Sequence, residues 1–152
     1  MALSSTRIIK VIVVTDDMEK TADAYRRLLG TDRKPDTGSG EHHMIRKPFT
    51  RYKGQPIGAT PMKNVSILSE NFWFEIIQPL NEEGPWADWL KEHGTSICAV
   101  SLLTSGPLED DDALMESSGF PLLFKQEKGY EAYDYFDTAR SLGVLLEMKE
   151  QY

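Results

Sequence analysis

The chain has 152 residues, 17 Lys plus Arg against 24 Asp plus Glu, and a formal charge of -7. That length fits one ordinary globular domain with a sizeable core. An acidic chain without a basic stripe is a poor nucleic-acid binder, and apolar runs such as 11–14 fall far short of the ~20 residues that a membrane helix needs. The start of the chain, 1–7, lacks the basic head and long apolar stretch of a secretory signal. A lone Cys98 cannot form an internal disulfide, so a reducing, cytoplasmic setting is expected.

Ile8–Val14 (IIKVIVV) is a β-branched run that predicts a strand buried on both faces, interrupted by Lys10. Asp16 or Asp17 can cap the helix that follows, whose apolar face is Met18, Ala22, Tyr25 and Leu29. Gly30 stands where a helix end favours a left-handed residue. Residues 31–60 are rich in Pro and Gly and poor in apolar residues, which predicts a long loop with one short strand near 42–45. The stretch is locally basic through Arg33, Lys34, Arg46, Lys47, Arg51 and Lys53.

Strands are expected at 64–68 and 72–78, with Pro79 ending the second. A short connecting helix over 85–93 starts with Pro85, a residue suited to the first helical position. Its Trp86 and Trp89 fasten it to a sheet or to a second subunit, and His93 sits at its C-terminus. A strand over 97–103 and a helix over 108–118 follow. Glu109, Asp110, Asp111 and Asp112 open that helix, where its dipole favours acids. Strands are expected at 120–125, 131–136 and 143–149.

The order β-α-β-β-β, short helix, β-α-β-β-β is an internal repeat. Residues 8–30 match 97–119 in period and closing glycine, and FWFEIIQ (72–78) aligns with VLLEMKE (144–150), setting Glu75 over Glu147. Two such units should each expose an apolar sheet face that the other buries.

Three segments carry a family resemblance: YKGQP (52–56), FEIIQPLNEEGPWADWLKEHGTSI (74–97) and YFDTARSLGVLLEMKE (135–150). They resemble the vicinal oxygen chelate superfamily, which includes glyoxalase I, extradiol dioxygenases and bleomycin-resistance proteins. The branch they look most like holds methylmalonyl-CoA epimerase and glyoxalase-like proteins. The resemblance implies an α+β fold in which tandem βαβββ repeats form a cupped mixed sheet. It implies a single domain over 1–152, with repeat one at 7–80, the connecting helix at 85–93 and repeat two at 96–150. It also implies a homodimer.

Relatives usually hold a divalent metal in the cup. Carried over position by position, its ligands fall at Lys10, Glu75, Ala99 and Glu147. Both carboxylates are kept and both usual histidines are gone. Ala99 has no donor, and Lys10 brings a positive charge instead of a lone pair. Cys98 is one residue out of register, so it faces the other side of its strand. No metal-ligating residue and no cofactor are therefore assigned. A divalent ion is disfavoured, although a metal held with an outside ligand, or through His42 or His43, stays open.

Strand alternation, taken with the resemblance, sets Lys10, Glu75 and Glu147 as one cluster in the cup, the ammonium standing in the place of the metal. Two readings of that cluster stay open. In the first, Glu147 or Glu75 is a proton-transfer base and Lys10 stabilises an enolate oxygen, giving a lyase, isomerase or epimerase acting on a small carboxylate or acyl thioester. In the second, the cluster is structural and the protein sequesters a small molecule without chemistry. Arg46 and Arg51 are candidates for binding an acidic substrate, since guanidinium grips such groups bidentately. Trp73, Tyr133 and Tyr135 are candidates for the apolar wall, with Phe124 more simply core.

Overall fold

The computed structural model describes residues 2–30, 42–58 and 61–152. The chain is mixed α+β, with nine strands and four helices among the described residues. In order they are β1 (Ile8–Val14), α1 (Met18–Leu29), β2 (Phe49–Tyr52), β3 (Gln55–Pro56), β4 (Met62–Leu68), β5 (Trp73–Pro79), α2 (Pro85–His93), β6 (Ser96–Leu103), α3 (Leu108–Ser117), β7 (Leu122–Glu127), β8 (Glu131–Phe136), α4 (Ala139–Leu142) and β9 (Leu145–Gln151). They fall into two compact units. One comprises Met1–Ile8, Glu41–Ala59 and Val100–Tyr152; the other comprises Ile9–Gly40 and Thr60–Ala99. The units therefore do not coincide with the repeats expected at 7–80 and 96–150. The segment with β2 and β3 belongs to the unit built from the second half of the chain.

In the unit holding the first helix, β1 pairs parallel with β5, and β5 pairs antiparallel with β4. Asp17 caps α1 by accepting the Lys20 amide at 3.1 Å, and Gly30 closes it at φ 65°. The helix lays Ala22, with Met18 and Tyr25, on one sheet face formed by Val13, Val65, Ile67 and Ile76. Alternation turns Lys10, Ile12 and Val14 of β1 to the opposite face. Ile12 and Val14 are fully buried there, so the strand is covered on both sides as its β-branched run requires.

In the other unit the strands run β3-β2-β7-β8-β9. α3 covers one face with Leu108 and Met115, which pack on Leu102, Ala132, Phe136 and Met148. The opposite face carries a row of in-register residues: Tyr52, Phe124, Tyr135 and Glu147. The strand expected near 42–45 lies instead at Phe49–Tyr52. There Lys53 and Gly54, both at positive φ (50° and 77°), turn the chain back so that Tyr52 pairs with Gln55. Such a turn fits the twist of a two-residue hairpin. The expected loop residues 31–41 lie outside the described residues.

Candidate active site

Lys10 and Glu75 are both the third residues of their strands and lie on the same face, away from α1. The Lys10 Nζ sits 2.8 Å from Glu75 Oε2, and each side chain is only 14% exposed. An ammonium so far out of water needs a carboxylate partner, and Glu75 supplies it. Trp73, two residues before Glu75, shares that face and pairs in register with Lys10. It is half-buried, as a wall residue would be.

Glu147 is the third residue of β9, as Glu75 is of β5. It belongs to the other unit and is 1% exposed. The Tyr135 hydroxyl donates to Glu147 Oε2 at 3.0 Å, across the directly paired positions of β8 and β9. Phe124 packs edge-on against Tyr135 at 5.7 Å between centroids, and Tyr52 against Phe124 at 6.4 Å. A carboxylate with one phenolic donor and an aromatic flank can hold or accept a proton in a water-poor setting. Tyr135 is thus a hydrogen-bond partner of the glutamate as well as a ring in the wall.

The two arginines take other partners. Arg46 lies 2.8 Å from Glu109 Oε1 and 3.8 Å from Glu127 Oε1, with its guanidinium 4.5 Å over the Tyr152 ring. Arg51 is paired in register with Lys125, which brings it to the α3 side of the sheet, and its guanidinium stacks 5.3 Å from Phe49. Tyr52, the next residue, faces the Glu147 side. Arg51 and Tyr52 therefore point to opposite faces, as neighbours along a strand do.

His42 stacks on Tyr130 with ring centroids 3.8 Å apart, and both His42 and His43 are exposed. His93 packs against Trp89 at 4.2 Å. Cys98 and Ala99 are fully buried. Among the described residues, no group of three or more His, Cys, Asp or Glu side chains is placed to hold a metal ion. No helix among them is long and apolar enough to cross a membrane.

Two features escaped the sequence reading. Asp134, fully buried on β8, shares Lys125 with Asp112 of α3, at 3.3 and 3.2 Å. Glu131, Tyr133 and Lys149 form a second cluster, on the face that carries Glu147. The only sequence signal for the second was the alternation 131/133 and 147/149, which needs the strand register to become meaningful.

A mixed α+β chain of two β-strand units, each with a helix on one sheet face, matches the fold of epimerase and glyoxalase-type proteins. The solved structures bear this out. The chain matches methylmalonyl-CoA epimerase from Mycobacterium tuberculosis with a TM-score of 0.67 at 15% identity, covering 100% of this chain and 92% of that one. It matches a Streptomyces coelicolor methylmalonyl-CoA epimerase variant in complex with 2-nitronate-propionyl-CoA with a TM-score of 0.63 at 15% identity, covering 96% and 94%. A methylmalonyl-CoA epimerase in complex with methylmalonyl-CoA and NH4+ matches with a TM-score of 0.62 at 16% identity, covering 99% and 96%. These neighbours belong to the vicinal oxygen chelate superfamily, so the fold expected from the sequence is the fold observed. No protein-family model matches the chain, and no curated protein is similar to it in sequence.

Proposed function

We propose that this protein is an epimerase-like enzyme that moves a proton at the carbon next to the carbonyl of an acyl thioester. The observation that carries this reading is Glu147: a carboxylate out of water, held by Tyr135 at 3.0 Å and flanked by aromatic rings. In the reaction, the bond from the α-carbon to hydrogen breaks and the proton passes to the Glu147 carboxylate. The electron pair moves into the thioester carbonyl as an enolate. A proton from water adds to the opposite face of the α-carbon, closing the enolate to the epimer, and Glu147 gives its proton up to solvent. A positioned general base of this kind supplies roughly 10²–10⁴-fold of rate. The structural neighbours named as methylmalonyl-CoA epimerases support the acyl-CoA class of substrate.

In this reading the chain works without a divalent ion. Of the four positions to which the family resemblance assigns metal ligands, Ala99 has a side chain with no donor atom, and Lys10 carries a charge of its own and holds Glu75 Oε2 at 2.8 Å. A divalent cation would meet a cation there. The Lys10–Glu75 pair takes the ion's place in the first unit, with an ammonium as the positive group. One of the matched epimerases was solved in complex with methylmalonyl-CoA and NH4+, a cation of the same chemistry as the lysine head.

The test is substrate α-proton exchange. Purified protein is incubated with methylmalonyl-CoA in heavy water and followed by proton NMR. Wild type should wash out the α-proton, and Glu147→Gln should slow this by at least about 100-fold. Wild-type exchange that persists in Glu147→Gln sinks the assignment of the base.

One observation favours a second reading. Glu147 is 1% exposed, less than a base that must meet an incoming carbon acid would ideally be. If the protein binds an acyl thioester tightly and exchanges no proton, it is a sequestering protein and the Glu147–Tyr135 pair is structural.

A further inference from the structure

Residues 42–48 lead into β2, and all of them are exposed. Apolar burial therefore does not hold them. They are fastened instead to the turn between β7 and β8, within one compact unit. The Ile45 and Arg46 amides both donate to the Gly129 carbonyl oxygen, at 2.7 and 3.1 Å. The His42 ring lies flat on Tyr130, with 3.8 Å between centroids and 7° between planes. The turn is shaped to receive this segment: Gly129 has φ 93°, and a Cβ there would stand 2.6 Å from the Arg46 carbonyl oxygen.

The charged part of the fastening has two layers. The inner layer is Glu127, 3% exposed, which accepts the Gly129 amide at 3.1 Å and the Tyr152 hydroxyl. Burial, and then the Glu127 carboxylate, push the Tyr152 hydroxyl up, so it keeps the proton that it donates. The outer layer is Arg46, 2.8 Å from Glu109 Oε1, 3.8 Å from Glu127 Oε1 and stacked over the Tyr152 ring. When Arg46 leaves, Glu127 keeps both of those hydrogen bonds, so its burial does not weigh against the departure. The contacts that are lost lie at the surface, where water and salt compete for them. A segment held in this way opens at far lower cost than the strands beside it.

The opening has a built-in limit. Pro48 has no N–H to give, and Phe49 is the first residue of the β2–β7 ladder, which runs from Phe49–Glu127 to Tyr52–Phe124. We propose that residues 42–47 are a salt-responsive strap that lifts from the β7–β8 turn as far as Pro48 and uncovers the Tyr130 ring, while β2 stays paired and Tyr52 keeps its place. Tyr130 is one wall of a cleft of about 490 Å³, which Pro48, Phe49, Thr50, Gln126 and Lys128 also line. The strap is a device of the fold and does not depend on the reaction proposed above.

The experiment is native-state hydrogen exchange of the whole chain, followed by NMR at rising urea and at two salt concentrations. The Ile45 and Arg46 amides should exchange through a local opening that low urea leaves unchanged, while β8 amides follow the urea dependence of global unfolding. Raising NaCl to about 0.5 M should speed Ile45 and Arg46 roughly 2- to 5-fold, the worth of an exposed ion pair. Glu109→Gln, a surface change, should give the same speeding at low salt and remove most of the salt effect. Arg46→Met should speed both amides roughly 5- to 30-fold. Gly129→Ala should leave them almost unprotected with β8 unchanged, and should move the Tyr130 ring protons downfield as His42 leaves the ring. Ile45 and Arg46 amides that share the urea dependence of β8 overturn the proposal. So do rates that ignore salt, Glu109→Gln and Arg46→Met, or Tyr130 signals and protection that survive Gly129→Ala. Should Gly129→Ala fail to fold, Glu109→Gln and Arg46→Met decide the matter.

Discussion

An ammonium out of water costs several kcal/mol unless a carboxylate meets it, and removing one partner leaves the other exposed to the same cost. Lys10 and Glu75 are such a pair, with only 14% of each side chain exposed. Lys10→Met should therefore lower the unfolding free energy by about 1–3 kcal/mol, read from urea denaturation. The double variant Lys10→Met/Glu75→Gln should regain part of that loss, because the Glu75 charge is then no longer stranded. If the double variant is as unstable as the single one, the pair contributes packing and not charge. This pair was legible in the sequence: a lysine in a β-branched run and a glutamate repeated at the third position of two strands are visible as letters. The hydrogen bond from Tyr135 to Glu147 was not, because it depends on which residue of β8 faces which residue of β9. Lys149 was missed for the same reason. Its neighbours Tyr133 and Glu131 reach it only through strand register.

Elements with strong local signals appear where the letters put them. β1, α2 and β8 have their expected bounds, since a β-branched run, a proline at the first helical turn and an alternating aromatic stretch each act over a few residues. β7 and β9 lie two residues later than expected. Before β9 the chain makes the short helix α4, and the Thr138 hydroxyl accepts the Leu146 amide at 2.8 Å, which holds that turn against the strand. β2 was misplaced because its hairpin pairs with β7, far along the chain, so no local alternation announces it. α1 shows what a local signal is worth. Asp17 satisfies the Lys20 amide and Gln78 Oε1 satisfies that of Met18 at 3.0 Å, so two of the four free amides of the first turn have side-chain acceptors. Asp17→Ala should cost about 1 kcal/mol, measured as a lower urea midpoint with an unchanged slope. No loss would mean that solvent satisfies this end of the helix equally well.

At the scale of the whole chain, the mixed α+β architecture was legible because its main strands and helices carry their own periodicity, whereas the grouping of residues 41–59 with the second half was not. That grouping sets β2 against β7 and leaves β7, β8 and α3 to enclose one acid, with a consequence for how global stability responds to pH. Asp134 is raised from 3.8 to about 9, first by burial and then by the hydrogen bond and charge of Asp112 of α3, with Lys125 of β7 pulling the other way. The folded chain therefore keeps this proton up to about pH 9, while the unfolded chain releases it near pH 4. Stability from this group is complete below about pH 4 and drains away as the pH rises towards 9, where both states are ionised. One proton contributes a slope of at most about 1.4 kcal/mol per pH unit. Between pH 6 and 9 the folded and unfolded states of ordinary carboxylates are both ionised, so the slope from Asp134 stands clear of theirs. Asp134→Asn removes the titrating group while keeping its size. Urea unfolding of wild type should show stability falling from pH 6 to 9, and Asp134→Asn should flatten that fall and gain most over wild type at the alkaline end. Parallel pH profiles for the two proteins would mean that Asp134 is ionised in the folded chain, with Lys125 outweighing both burial and Asp112.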